Sequence, residues 1–204
     1  MGANRQSTAE PIRPAGPDLA RLGLDEIARA MAERRLPPVE QWDPAHCGHS
    51  DMRIARDGTW YHAGTPIGRP ALVRLFASIL RREPDGRFVL VTPVEKLDID
   101  VEDAPFIAVE ATSEGRGPAR RLAFRLNTDD ILLAGPDNPL RLETAADGTP
   151  RPYLHVRGPR DRPLEALVNR PVFYQLADLA LADQAEGQPL GLWSGGAFFP
   201  FDAG

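Results

Sequence analysis

A strand, a tight turn, a strand, a helix and a strand follow one another twice in this chain, and that recurrence restricts its fold more than any single motif does. In the first pass, Met52-Arg-Ile-Ala alternates in polarity up to Asp57-Gly58, a favoured two-residue turn, and Thr59-Trp-Tyr-His resumes as the second arm of a hairpin. Gly64-Thr-Pro-Ile-Gly-Arg-Pro reads as a loop, and Pro70 suits the first turn of a helix that carries Leu72, Leu75, Phe76, Ile79 and Leu80 inward. Pro84-Asp-Gly closes the helix, and Phe88-Val-Leu-Val-Thr is a short apolar run suited to a buried strand. In the second pass, Leu140-Arg-Leu precedes Asp147-Gly-Thr, Tyr153-Leu-His follows, and Arg170-Pro171 opens a helix as Arg69-Pro70 does. An ungapped offset of 101 residues pairs Leu75 with Leu176, Leu80 with Leu181 and Gly86 with Gly187. The expectation is a duplicated α+β unit.

Between the two passes, Lys96–Val101, Phe106–Thr112, Arg120–Leu126 and Asp130–Ala134 alternate and are parted by turn signals, the pattern of an antiparallel meander. With Leu140–Glu143, Tyr153–Val156 and the last helix they suggest a small curved antiparallel sheet or partial barrel capped by that helix. Upstream, the apolar positions of Asp18–Leu36 fit a helical stripe, stopped by Pro37 and Pro38. The division expected is a disordered tail over residues 1–17, an N-terminal α+β domain over 18–95 and a C-terminal α+β domain over 96–204.

Composition narrows the function classes. The net charge is −5, with 14 basic and 14 acidic side chains in residues 1–100 and 10 and 15 in residues 101–204, so neither half is a basic footprint for nucleic acid. No apolar run approaches the roughly 18 residues of a membrane span, and the first residues contain no apolar signal segment. One cysteine, Cys47, excludes an internal disulfide framework and fits a reducing cytoplasm. Of 24 basic residues only Lys96 is lysine.

The chain contains no Walker, dinucleotide-binding, zinc-protease or nucleophile-elbow motif. His46-Cys47-Gly-His49-Ser-Asp51 has metal-ligand residue types, but one knot in a loop lacks the two separated pairs of a zinc site, so a solvated polar loop is the reading and no metal is expected. Arg69-Pro70 sets an arginine at a helix start, where free N–H groups favour an anion; the bland alternative is a plain helix start with Arg69 in a surface ion pair. Asp98, Asp100, Glu102 and Asp103 alternate with apolar residues as an exposed strand face. Ser194-Gly-Gly ends the last strand, followed by the exposed-looking aromatics of Phe198-Phe-Pro-Phe. By the 101-residue offset, Ser194–Gly196 fall opposite Pro93–Glu95, which places an inter-domain seam there.

Met52-Arg-Ile-Ala-Arg-Asp-Gly-Thr-Trp-Tyr-His-Ala-Gly-Thr-Pro-Ile, Leu72-Val-Arg-Leu-Phe-Ala-Ser-Ile-Leu, Leu90-Val-Thr-Pro-Val-Glu-Lys and Val101-Glu-Asp-Ala-Pro-Phe together resemble the bacterial domain of unknown function 1285 family over about residues 37–198. The resemblance implies a duplicated two-domain core, a second domain of pleckstrin-homology-like shape, a nucleotide-like ligand between the domains and a signalling role.

The leading expectation is a non-catalytic cytoplasmic sensor without a cofactor that binds a small anionic, nucleotide-like ligand between its halves. Arg69, Arg74, Lys96 and Thr92 supply charge and donors, Glu95 accepts from a base or ribose, Phe106 or Trp193 stacks, and Ser194 and Gly195 face them across the seam. The alternatives are a protein-interaction adaptor that docks a protein partner through the Phe198 segment, and a hydrolase using Glu95 or Asp103.

Overall fold

The computed structural model describes residues 23–24, 36–184 and 186–201. The tail expected over 1–17 and most of the helix expected over Asp18–Leu36 lie outside them. A short 3-10 turn, Val39–Gln41, leads into β1 (His46–Ile54), β2 (Trp60–His62), β3 (Thr65–Pro66), α1 (Pro70–Ser78), β4 (Leu80–Arg82), β5 (Phe88–Val91) and β6 (Lys96–Val101). Then come β7 (Phe106–Glu114), β8 (Arg121–Leu126), β9 (Ile131–Leu133), β10 (Leu140–Thr144), β11 (Pro150–Arg157), β12 (Leu164–Val168), α2 (Arg170–Asp183), β13 (Gly191–Ser194) and β14 (Ala197–Pro200).

Two six-stranded sheets result, ordered β3-β2-β1-β6-β5-β4 and β10-β11-β12-β7-β8-β9, and β13 and β14 form a separate hairpin. Each sheet begins at a central strand, steps outward through two antiparallel neighbours, crosses to the far edge and steps back in. Each ends on a strand parallel to its first, β6 beside β1 and β12 beside β7. The duplication is therefore present, but in a register other than the 101-residue offset. β1–β6 corresponds to β7–β12; α1 lies between the third and fourth strands of its sheet, whereas α2 follows the sixth strand of the other. The second sheet is mixed, not purely antiparallel, because β12 returns beside β7.

Three further differences from expectation have local causes. β6 pairs with β1 and β5, so the break between the sheets falls after Val101 and not between Glu95 and Lys96. α1 stops at Ser78, and Leu80 leaves it to begin β4, where it is fully buried opposite Leu90. His46–Asp51 is strand, not loop: β1 runs beside β6 through two register shifts, and each imidazole meets a β6 carboxylate, His46 Nε2 at 3.0 Å from Asp98 and His49 Nε2 at 3.6 Å from Asp100.

One continuous apolar cluster joins the sheets, with Met52, Trp60, Leu80 and Leu90 from the first packed together with Phe106, Phe124, Leu154 and Val172 from the second half. Fully burying a side chain such as Phe106 contributes about 1.5–3 kcal/mol, so the two sheets stabilise each other. Leu24 is also buried, against Ala123, Ile131 and Leu133, which puts it on the second sheet and not in the N-terminal domain expected from sequence. No described helix is long and apolar enough to cross a membrane.

Candidate functional site

Among the described residues, four hairpins close with the same pair of backbone hydrogen bonds. Ala55 and Thr59, Glu83 and Arg87, Ala145 and Thr149, and Leu126 and Asp130 bracket three-residue turns, each with a left-handed third turn residue. That residue is Gly58, Gly86 or Gly148 in three of them, at φ 81°, 90° and 80°, and Asp129 at φ 65° in the fourth. The Gly58 turn of the first sheet and the Asp129 turn of the second meet face to face.

Their meeting is tight. Asn127 donates from Nδ2 to the Gly58 carbonyl oxygen at 3.3 Å and accepts the Ile107 N–H at Oδ1 at 3.1 Å. Beside it, Arg74 of α1 donates from Nη1 to Asp129 Oδ2 at 3.0 Å, and Asp129 Oδ1 lies 3.6 Å from Arg125 Nη1. Between these two ties lies a cleft of about 320 Å³. Asp57–Trp60, Ile67, Gly68, Pro70 and Val73 form its first-sheet wall together with Arg74, and Asn127 and Thr128 form the other.

The chemistry of the cleft is uneven. Trp60 is 1% exposed, and its Nε1–H is buried without an acceptor. An unsatisfied buried donor of this kind costs about 1–3 kcal/mol. Asp57 is the carboxylate of the wall, and the Thr59 backbone N–H, 2.9 Å from its Oδ1, holds its carboxyl below the usual carboxylate range. It stays ionised and is a poor base. The Thr128 hydroxyl is engaged with Asp130 Oδ2 at 2.8 Å.

This two-sheet arrangement, with a break after Val101, has counterparts. Residues 37–104 match the family model described as "Domain of unknown function (DUF1285), N-terminal domain", and residues 105–201 match "Protein of unknown function (DUF1285), C-terminal domain". The chain belongs to the DUF1285 family. Among solved structures, it is similar to a DUF1285 family protein from Silicibacter pomeroyi DSS-3, with 50% identity over 87% of this chain and 93% of that one and a TM-score of 0.74. A second DUF1285 protein, from Shewanella baltica OS155, is 28% identical over 65% of this chain and 94% of its own, with a TM-score of 0.46. No curated protein matches the sequence.

In this DUF1285 chain the residues expected at the seam do not converge. Arg74 lines the cleft, and Arg69 stands exposed at the cap of α1 beside it. Thr92 closes its own loop, accepting the Glu95 N–H at 3.2 Å, and Glu95 is exposed. Lys96 is drawn to Glu83, with Nζ 3.6 Å from Oε2, and Arg81 clamps the same carboxylate at 2.6 Å while donating to the Val39 and Trp42 carbonyls. Phe106 is fully buried, with the Arg157 guanidinium 5.3 Å from its ring centre, so it has no free face for stacking.

Trp193 packs on Phe198 at 5.4 Å, and the fully buried Ser194 hydroxyl bridges the Ala134 carbonyl (2.7 Å) and the Leu122 N–H (2.9 Å). Gly195 donates its N–H to the Arg120 carbonyl oxygen at 3.1 Å. The Ser194 turn thus belongs to β8 and β9, and the Thr92 loop belongs to β4, β5 and the Val39–Trp42 segment. The expected seam between them fails because the 101-residue offset equates segments that are not topologically equivalent.

Other candidates resolve the same way. Phe199 is buried, and Phe201 packs on Phe173 at 5.9 Å, so the C-terminal aromatics are not an exposed hot spot. Asp103 is not on a solvated face: it accepts from Tyr153 Oη and Arg151 Nη1, each at 2.8 Å. Glu102 is engaged by the Arg53 side chain and the Arg56 N–H. Cys47 is exposed, and no group of three or more His, Cys, Asp or Glu among the described residues is disposed to hold a metal ion. Trp60 and Asn127 were missed. An aromatic in a hairpin arm reads as core, and nothing local marks an asparagine as a bridge between sheets.

Proposed function

We propose that this DUF1285 protein is a non-catalytic sensing module that binds a small anionic, nucleotide-like ligand in the cleft between its two sheets. One observation carries the reading. The cleft draws its walls from both halves and sets the Arg74 guanidinium in the same wall as a buried indole N–H without an acceptor. Pockets of about 300 Å³ and above, mostly apolar with a few polar groups, are the usual sites for small ligands. Arg74 supplies the cation, Trp60 backs the wall, and Arg69 adds positive charge at the rim. Catalysis is disfavoured because Asp57, the carboxylate of the cleft, is held below the usual carboxylate range by the Thr59 N–H and hydroxyl, which makes it a poor base. Closing a ligand between two halves gives a natural signalling output, since their relative fit then depends on occupancy. In this reading the second sheet, closed by α2, plays the pleckstrin-homology-like part, and the reducing cytoplasm suits the exposed Cys47.

A thermal-shift panel of nucleotides and related anions tests the reading. A ligand at 100 times its dissociation constant stabilises the fold by about 2.7 kcal/mol, a readily measured shift in melting temperature. The shift is expected in the wild type and lost in Arg74→Gln. A panel without any shift, or a shift that Arg74→Gln retains in full, contradicts it.

A further inference from the structure

Asp129 occupies a position that three sister turns give to glycine. Its φ of 65° is left-handed, where a side chain with a Cβ is disfavoured, and Asn and Asp are the side chains that tolerate it best. Such an outlier points toward a role for the side chain. The Asp129 carboxylate reaches out of its own sheet to Arg74 Nη1 at 3.0 Å, with Arg125 Nη1 3.6 Å from its second oxygen. Arg74 is the cleft cation.

From this geometry we infer that Asp129 is a built-in competitor: its carboxylate neutralises Arg74 in the unliganded protein, and an anionic ligand binds by taking its place. The inference rests on the cleft being the ligand site. The exchange conserves charge pairing at Arg74. Arg125 lies within reach of both Asp129 and Glu110, whose Oε2 accepts from its Nε at 2.8 Å, so the released Asp129 carboxylate keeps a cation nearby. Ligand entry then breaks one of the two ties across the cleft and leaves the Asn127–Gly58 tie in place, which couples occupancy to the fit between the sheets. The competition sets affinity by a fixed amount, because a part-exposed ion pair of this kind is worth at most about 1 kcal/mol.

Calorimetric titration of the full chain with AMP, and with inorganic phosphate as a second probe, tests this in the wild type, Asp129→Asn, Asp129→Gly and Arg74→Gln. Asparagine and glycine both suit a left-handed turn, so each variant keeps the hairpin while removing the charge. Both Asp129 variants are expected to bind more tightly, by up to about fivefold, the factor that about 1 kcal/mol represents. Adding Arg74→Gln to either abolishes the gain. If the wild type binds and the Asp129 variants bind equally or more weakly, the competitor role is wrong while the cleft stands. If no protein binds either probe, the cleft reading falls and takes this inference with it.

Discussion

Asn127 donates its side-chain N–H to the carbonyl oxygen of Gly58 across the boundary between the two sheets, and the approach is so close that a Cβ built on Gly58 meets Asn127 Nδ2 at 2.6 Å and Ile107 Cγ1 at 2.7 Å. Gly58 is therefore fixed twice, once by its φ of 81° and once by the neighbouring sheet.

Gly148 supplies the control. It has nearly the same φ, 80°, yet a Cβ there meets nothing within 4 Å. Gly148→Ala is expected to cost about 1–2 kcal/mol, the strain of a left-handed alanine. Gly58→Ala is expected to cost at least about 1 kcal/mol more, as in overpacked cores, because Ile107 or the Asn127 bridge must move. Urea unfolding of both variants measures the difference; equal losses would show that the sheets do not meet as described.

Ser194→Ala separates structure from function. Its hydroxyl is the acceptor for Leu122 N–H and the donor to Ala134 O in a fully buried site, so removing it strands both backbone groups. The expected loss is about 1–3 kcal/mol of stability. Ligand-induced stabilisation, read as the shift between free and saturated protein, is expected to stay the same.

Lys96→Ala behaves similarly. Lys96 lies 3.6 Å from Glu83 and outside the cleft wall. A loss of about 1–3 kcal/mol is expected, because Lys96 and Glu83 are both largely buried, without change in the nucleotide shift. Loss of the shift in this variant would return the site to the Thr92–Lys96 loop.

Acid tests another tie. A hydrogen bond from the nearly buried Arg120, 2.6 Å away, holds the Asp183 carboxyl below its usual value of 3.8. A carboxylate depressed in the folded state contributes stability that is complete above its unfolded value and is lost as pH falls through its folded value. Asp183→Asn is therefore expected to be less stable than wild type at pH 7 by about 1–3 kcal/mol, with the gap narrowing below about pH 4 as the wild type loses its advantage. Urea midpoints at pH 7, 5 and 3 check it. A gap that stays constant would mean that the Arg120–Asp183 pair does not carry the effect.

What the sequence made legible was local. Asp-Gly turns, alternating strands and the proline-led starts of α1 and α2 lie where their chemistry places them. Which turn corresponds to which was not legible, because Asp57-Gly58, Asp85-Gly86 and Asp147-Gly148 close alike, and only strand pairing, a non-local property, distinguishes them. Asp147-Gly148 is the counterpart of Asp85-Gly86, since both join the outer two strands on the returning side of their sheets. β12 was hidden behind Gly158–Pro163, whose loop composition masks the strand that follows. The acidic alternation of β6 was readable; the arginines and histidines that contact it come from β1 and the β4–β5 turn, brought together only by folding. Arg74 could be named as a cation, but its partner Asp129 carries no local signal except a missing glycine.

The cleft is tested most directly by following the indole N–H resonances during titration with AMP. The chain has three tryptophans, Trp42, Trp60 and Trp193, so three signals are expected, assignable by Trp→Phe replacement. Binding in the cleft moves the Trp60 Nε1–H signal together with the Gly58 and Asn127 amides, and leaves Trp193 in place. A titration that shifts Trp193 and the Thr92–Lys96 amides while Trp60 stays still would contradict the account.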